Sequence, residues 1–166
     1  MDSSTSDQCV QLEQAVGGPV NLAKITGSRA YERFTGSQIR KLVEQRPECY
    51  HGCERISLVS SFAASLFTGK IVDLDWADAG GMNLLDITSR TWDQTLLDTV
   101  GPDLASKLGT PVSGNTVVGT VSEYMQERLV ILLEVSFSFA PISGMASMTN
   151  VWCQPSQETT PAAWLV

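Results

Sequence analysis

The chain has 166 residues, 43% of them hydrophobic, enough to build one domain. Charged residues make up 17% and the net charge is −7; an acidic surface repels phosphates, which excludes a nucleic-acid or anionic-membrane partner. The longest apolar run, residues 129–142, contains Glu134 and falls short of the roughly 18 apolar residues that suggest a membrane span.

From the N-terminus, residues 2–4 can cap a helix that runs through Gln8, Leu12 and Val16 to a stop at Gly17 and Gly18. Residues 21–25 read as a helical turn ended by Gly27. A helix is expected over 37–45, with Ile39, Leu42 and Val43 on one face and Pro47 as the interruption. Residues 56–59 are a short apolar strand. Ser60 and Ser61 can cap a helix over 62–67 that Gly69 ends. Residues 71–74 read as a strand, 77–82 as an Asp- and Gly-rich loop, and 83–87 as a short apolar segment. A helix over 92–100 turns Leu96, Leu97 and Val100 inward, a shorter helix follows over 102–108, and residues 117–121 read as a strand.

Composition changes after Arg128. All 11 Lys and Arg lie in residues 1–128, and beyond them the only charges are Glu134 and Glu158. The tail is rich in Ser, Thr, Met and small residues and has no clean periodicity past Phe139. The expected division is therefore a domain portion over 1–128 and a divergent, poorly ordered tail over 129–166.

Four cysteines occur, at 9, 49, 53 and 153. The polar opening, MDSSTSDQ, lacks the apolar core of a secretory signal. Reduced thiols and a cytoplasmic location follow, rather than a disulfide framework. Asp73, Asp75 and Asp78 form an acidic cluster, but a calcium loop needs a denser, longer ligand pattern ending in Glu. A solvated, turn-forming loop is the expectation there. Cys49, His51 and Cys53 have no second ligand pair, and His51 is the single histidine, so a zinc site is not expected. Gly114 and Gly119 make no phosphate loop, because no G-x-x-x-x-G-K-[ST] occurs. Trp76 and Trp92 read as packing residues.

Two stretches carry a resemblance: ITGSRAYERFTGSQIRKLVEQRPECY over 25–50, and RISLVSSFAASLFTGKIVDLDWADAGGMNLLDITSRTWDQTLLD over 55–98. In order and spacing they supply Thr26-Gly27, Phe34-Thr35-Gly36, Pro47-Glu48, Thr68-Gly69, Asp78-Ala79-Gly80-Gly81, Leu84-Leu85-Asp86 and Trp92 with Leu96-Leu97. As a set these motifs resemble the xylulose kinases of the FGGY carbohydrate-kinase family over residues 1–128. The resemblance implies an α/β fold: an incomplete part of the actin-like, ribonuclease-H-like N-terminal domain of an FGGY kinase. It implies a two-domain parent with sugar and ATP in the cleft. There, with Mg²⁺, the γ-phosphoryl group would pass to the terminal hydroxyl of D-xylulose, giving D-xylulose 5-phosphate, with an aspartate as base.

Arg33 is the one site residue that the resemblance carries over. In these kinases the residue just before F-[ST]-G reaches the sugar, and a guanidinium can donate several hydrogen bonds to neighbouring hydroxyls. The plain alternative is a surface Arg at a loop end. Arg29 nearby reads as solvated or structural. By the same resemblance, the phosphate-binding hairpin and the sugar-binding His-Gly segment would lie before residue 1. The Gly-Asp-Asn segment with the base and the adenine-holding second domain would lie beyond Arg128. No catalytic, cofactor-binding or metal residue is therefore expected in the chain, and turnover by it alone is not expected.

Read back into codons in a shifted frame, residues 152–166 can encode Val-Ser-Ala-Phe-Thr-Gly-Asp-Asn, which resembles the base-carrying kinase segment. The tail is thus expected to be an alternative or mis-spliced stretch; a genuine divergent addition is the competing account. Three rivals to the main reading stand: a non-catalytic fragment that associates with full-length kinase, an inactive product cleared by quality control, and an FGGY kinase of ribulose or glycerol. Arg33 favours the xylulose type.

Overall fold

The computed structural model describes residues 3–129 and the strands Ser136–Ser138 and Trp152–Pro155. In chain order the first elements are α1 (Ser6–Ala15), α2 (Pro19–Thr26), α3 (Thr35–Gln45), α4 (Pro47–His51), β1 (Cys53–Ser57) and α5 (Val59–Thr68). Next come α6 (Trp76–Gly80), β2 (Leu85–Asp86), β3 (Thr91–Trp92), α7 (Gln94–Val100) and α8 (Leu104–Leu108). The last are β4 (Val117–Thr120), α9 (Glu123–Leu129), β5 (Ser136–Ser138) and β6 (Trp152–Pro155). The strands form three antiparallel pairs: β1 with β6, β2 with β3, and β4 with β5. Residues 130–135, 139–151 and 156–166, which make up most of the tail expected to be poorly ordered, lie outside the described residues.

The core follows from the apolar spacing. Leu12 of α1, Leu22 of α2, Ile39 of α3, and Leu96, Leu97 and Val100 of α7 are buried in one cluster with Ile56 of β1 and Leu84, Leu85 and Leu108. Each such leucine contributes about 1.5–3 kcal/mol relative to exposure. α1 packs against α2, α3 and α7, and α8 against β1. Tyr50 is buried in this cluster, and its hydroxyl donates to the Pro102 carbonyl at 2.6 Å; burial of a phenol requires such a partner.

Left-handed glycines end two helices where the sequence places stops: Gly27 (φ 84) after α2 and Gly69 (φ 70) after α5. Other elements differ from expectation. The N-cap of α1 is Thr5, not residues 2–4. Pro47 opens α4 rather than merely closing α3, because proline fits the first helical turn, where its missing N–H costs nothing. Ser60 and Ser61 lie inside α5, where the Ser61 Oγ accepts the Leu58 N–H at 3.1 Å.

Residues 71–74 form no strand. The Val112 N–H donates to the Leu74 carbonyl beside a single parallel bridge between Asp75 and Val112, and the Val72 N–H goes to the Ser65 hydroxyl rather than to a strand. Residues 77–82 are not a plain loop: Asp75 caps α6 by accepting the Ala77 and Asp78 amides at 2.6 and 3.1 Å. Trp92 belongs to β3 rather than to a helix, because Asp93 caps α7 through the Leu96 amide at 2.9 Å.

Candidate functional site

The loop that carries Arg33 joins α2 to α3. Gly27 turns the chain out of α2, and Phe34 is extended (φ −73, ψ 147) at the start of α3. Between them the backbone is held at almost every step. The Phe34 N–H donates to the Tyr31 carbonyl at 2.9 Å. The Ser37 hydroxyl donates to the carbonyls of Phe34 and Tyr31 at 2.9 and 3.1 Å. The Glu32 carbonyl accepts from Gln38 Nε2 at 2.8 Å and from the Thr5 hydroxyl. The Tyr31 and Phe34 rings meet edge to face with centroids 5.6 Å apart. Arg33 is half-buried and its Nε is shielded from solvent, so its side chain rises from a braced turn rather than from a mobile tip.

The motif Phe34-Thr35-Gly36 has a structural reason. Thr35 and Gly36 are buried, and the Gly36 amide donates to the Met82 carbonyl at 3.0 Å. A Cβ at Gly36 would lie 2.6 Å from that carbonyl oxygen, so only glycine permits this approach. The turn between α6 and β2 thus lies directly under the Arg33 loop.

Arg29 pairs with Glu13 at 3.3 Å with its own side chain 70% exposed; such a surface pair adds little stability. The three aspartates of the acidic cluster do not converge. Asp73 pairs with Arg55, Asp75 caps α6, and Asp78 accepts the Ser60 hydroxyl. Asp75 and Asp78 are buried, which corrects the expectation of a solvated loop: both carboxylates stabilise backbone or hydroxyl donors in the interior.

The thiols of Cys9 and Cys49 are unpaired, and the Cys53 Sγ lies 3.2 Å from the Arg55 carbonyl. Burial pushes the Cys9 thiol up from its usual range, partly offset by hydrogen bonding with Ser37. His51 stacks its edge on Tyr50. Trp76 and Trp92 donate their indole N–H groups to the carbonyls of Pro111 and Gly109 at 3.2 and 2.7 Å. Arg90 also lies over the Trp76 ring at 4.5 Å.

Among the described residues no group of three or more His, Cys, Asp or Glu side chains could hold a metal ion. Each carboxylate of the acidic cluster has a protein partner of its own. Sequence reasoning missed Asn83, which is 1% exposed and adopts φ 59. Asn is among the residues that most readily take that left-handed conformation, and its place just beyond the Gly80-Gly81 pair is the one signal in the sequence.

The profile of the FGGY family of carbohydrate kinases, N-terminal domain, matches residues 1–147. The xylulose kinase of Mus musculus is 58% identical over 128 residues, covering 77% of this chain and 23% of that protein. Xylulose kinase 2 of Arabidopsis thaliana is 52% identical over 128 residues, again covering 77% and 23%. The chain therefore spans about a quarter of the length of the curated relatives it matches. In the crystal structure of xylulose kinase from Rhodospirillum rubrum, 82% of this chain superposes on 28% of that one with a TM-score of 0.71 and 16% identity. A glycerol kinase of Plasmodium falciparum with ADP gives a TM-score of 0.70 at 19% identity, covering 83% of this chain and 27% of the other. Those two likenesses show a shared fold.

Proposed function

The chain belongs to the FGGY family of carbohydrate kinases, and we propose that it is the sugar-facing portion of an ATP-dependent kinase of D-xylulose. The observation that carries this reading is Arg33, held just before Phe34-Thr35-Gly36 on a loop braced from α1, α3 and the α6–β2 turn. A guanidinium carried on a braced loop can offer its donor fork to vicinal hydroxyls with less loop ordering to pay for on binding. Identity of 58% and 52% to two xylulose kinases supports the ketose as substrate.

The parent reaction would transfer the ATP γ-phosphoryl group to the terminal sugar hydroxyl, with Mg²⁺ and a cytoplasmic location. By the resemblance, the base and the nucleotide wall belong to other parts of the parent, and the part we assign to this chain is to orient the sugar. Phosphoryl transfer is largely positioning plus charge stabilisation, and the groups act as a unit. The chain alone is therefore expected to release no ADP with D-xylulose and ATP.

Saturation-transfer NMR on the purified chain tests the substrate reading. Transfer to D-xylulose that Arg33→Ala removes is expected, with weaker transfer to D-ribulose and glycerol. Equal transfer to all three, or transfer indifferent to Arg33→Ala, would contradict it. A second reading, association with a full-length kinase, is favoured by exposed Leu66 on α5, Ile71 just after it, Val117 on β4 and Tyr124 on α9. Co-purification with such a kinase, lost when Val117 and Tyr124 become Ser, would support it; an unchanged yield would not.

A further inference from the structure

We propose that Asn83 is a positioning residue: its side-chain amide fixes the loop over residues 28–34 and so sets where Arg33 presents its guanidinium. The role rests on the reading of Arg33 as a sugar contact.

Two consecutive residues of the α6–β2 turn pin the two ends of that loop. Met82 takes the far end, accepting the Gly36 amide at 3.0 Å. Asn83 takes the near end. Its Nδ2 donates to the Ser28 Oγ at 2.8 Å and to the Thr26 Oγ1 at 3.0 Å, with the Ser28 carbonyl at 3.4 Å. The remaining braces, from Thr5 and Gln38 onto the Glu32 carbonyl, come from the α1 and α3 side. Without Asn83 the entry to the loop is held by the end of α2 and by the exposed Arg29–Glu13 pair, which adds little.

The direction of these bonds is fixed by chemistry. The Thr26 hydroxyl proton is committed to the carbonyls of Leu22 and Ser28, each 3.1 Å away. Its lone pairs therefore face Asn83. The Ser28 carbonyl can only accept. Only a donor satisfies both, so the NH₂ of the amide must point this way. Asn83 makes two concessions to hold it there: a left-handed backbone, φ 59, and an Oδ1 that is buried without a hydrogen-bond partner. A strained residue with an unsatisfied buried acceptor persists only where its surroundings over-determine it. Here the surroundings are the loop that carries Arg33.

The test is amide hydrogen exchange and side-chain NMR on the whole chain. Asn83→Asp keeps the shape and tolerance of positive φ but removes the donor. Asn83→Gly removes the donor and relieves the backbone. Each is expected to speed exchange of the Phe34 amide, bonded to the Tyr31 carbonyl within the loop, about tenfold or more, while Leu97, bonded to the Asp93 carbonyl in the core, exchanges as in the parent. Any D-xylulose-induced shift of the Arg33 Nε–H should weaken in step.

Unchanged loop exchange in both variants would overturn the proposal, and so would uniform loosening of loop and core. Should neither variant fold, Ser28→Ala must loosen the same loop from the opposite partner, and its failure to do so overturns the proposal as well. A loop that loosens in a chain whose Arg33 never responds to D-xylulose keeps the clamp but overturns its role in positioning a sugar contact.

Discussion

Replacing Gly36 by Ala tests whether the Arg33 loop and the α6–β2 turn are locked together. The added Cβ would lie 2.6 Å from the Met82 carbonyl oxygen and 3.2 Å from a methyl of Leu84. The first contact is with backbone, so no side chain can swing aside. The same oxygen accepts the Gly36 amide at 3.0 Å, and any shift that relieves the clash lengthens that bond. Overpacking of this kind costs about 1–3 kcal/mol, and a weakened buried hydrogen bond adds about 1 kcal/mol. Against this, alanine gains up to about 0.5–1 kcal/mol over glycine in a helix, less in the first turn, where position 36 sits.

The net loss is about 2–3 kcal/mol, or a melting temperature lower by about 5–10 °C for a chain of this size. Urea denaturation reads it as a lower midpoint at unchanged slope. Gly80→Ala is the control: no atom lies within 4 Å of its Cβ position, and stability should move by less than about 0.5 kcal/mol. A Gly36→Ala chain as stable as the parent would refute the close approach.

Gly109→Ala should also destabilise, by about 2 kcal/mol, because φ is +73 and the new Cβ would fall on the guanidinium of Arg55, itself held by Asp73; the same denaturation series measures it. Cys9 should alkylate far more slowly than half-buried Cys49 at neutral pH, and gain reactivity only at a pH above the usual thiol range, since burial raises its pKa and the thiolate is the nucleophile; peptide mapping after iodoacetamide reads both sites. At Glu44, burial pushes the carboxyl up, but hydrogen bonds from Gln8 and Gln11 and the charge of Arg40 outweigh it and hold the group below its usual 4.5. A depressed carboxylate stabilises the fold fully above the unfolded value and loses that contribution as pH falls through the folded one. Glu44→Gln should therefore flatten part of the stability curve below about pH 4.5 in acid denaturation.

Much of the helical frame was legible in the sequence because its signals are local. Ile39 on one face of α3, Leu96 with Leu97 and Val100 on α7, and the left-handed stops at Gly27 and Gly69 need no knowledge of distant partners. The errors arose where a partner decides the outcome. Residues 71–74 look like a strand, yet a strand exists only where another pairs with it, and Val112 supplies a single bridge. Residues 77–82 look like a loop, yet Asp75 and Asp78 turn inward and one of them caps a helix.

The candidate site was legible to a different degree. Composition and spacing alone do not distinguish Arg33 from Arg29; the resemblance at Phe34-Thr35-Gly36 does, and the structure supplies the braced loop beneath it. Asn83 escaped because its partners, Thr26 and Ser28, are more than fifty residues away in the chain.

The central claim is that Arg33 is a sugar contact on a preformed loop, and the direct measurement is a titration of the ¹⁵N-labelled chain with D-xylulose while the Arg33 Nε–H resonance is followed. The account predicts a saturable shift there and at the amides of residues 31–34, absent in Arg33→Gln. No shift at millimolar sugar, or scattered shifts that persist in Arg33→Gln, would contradict it.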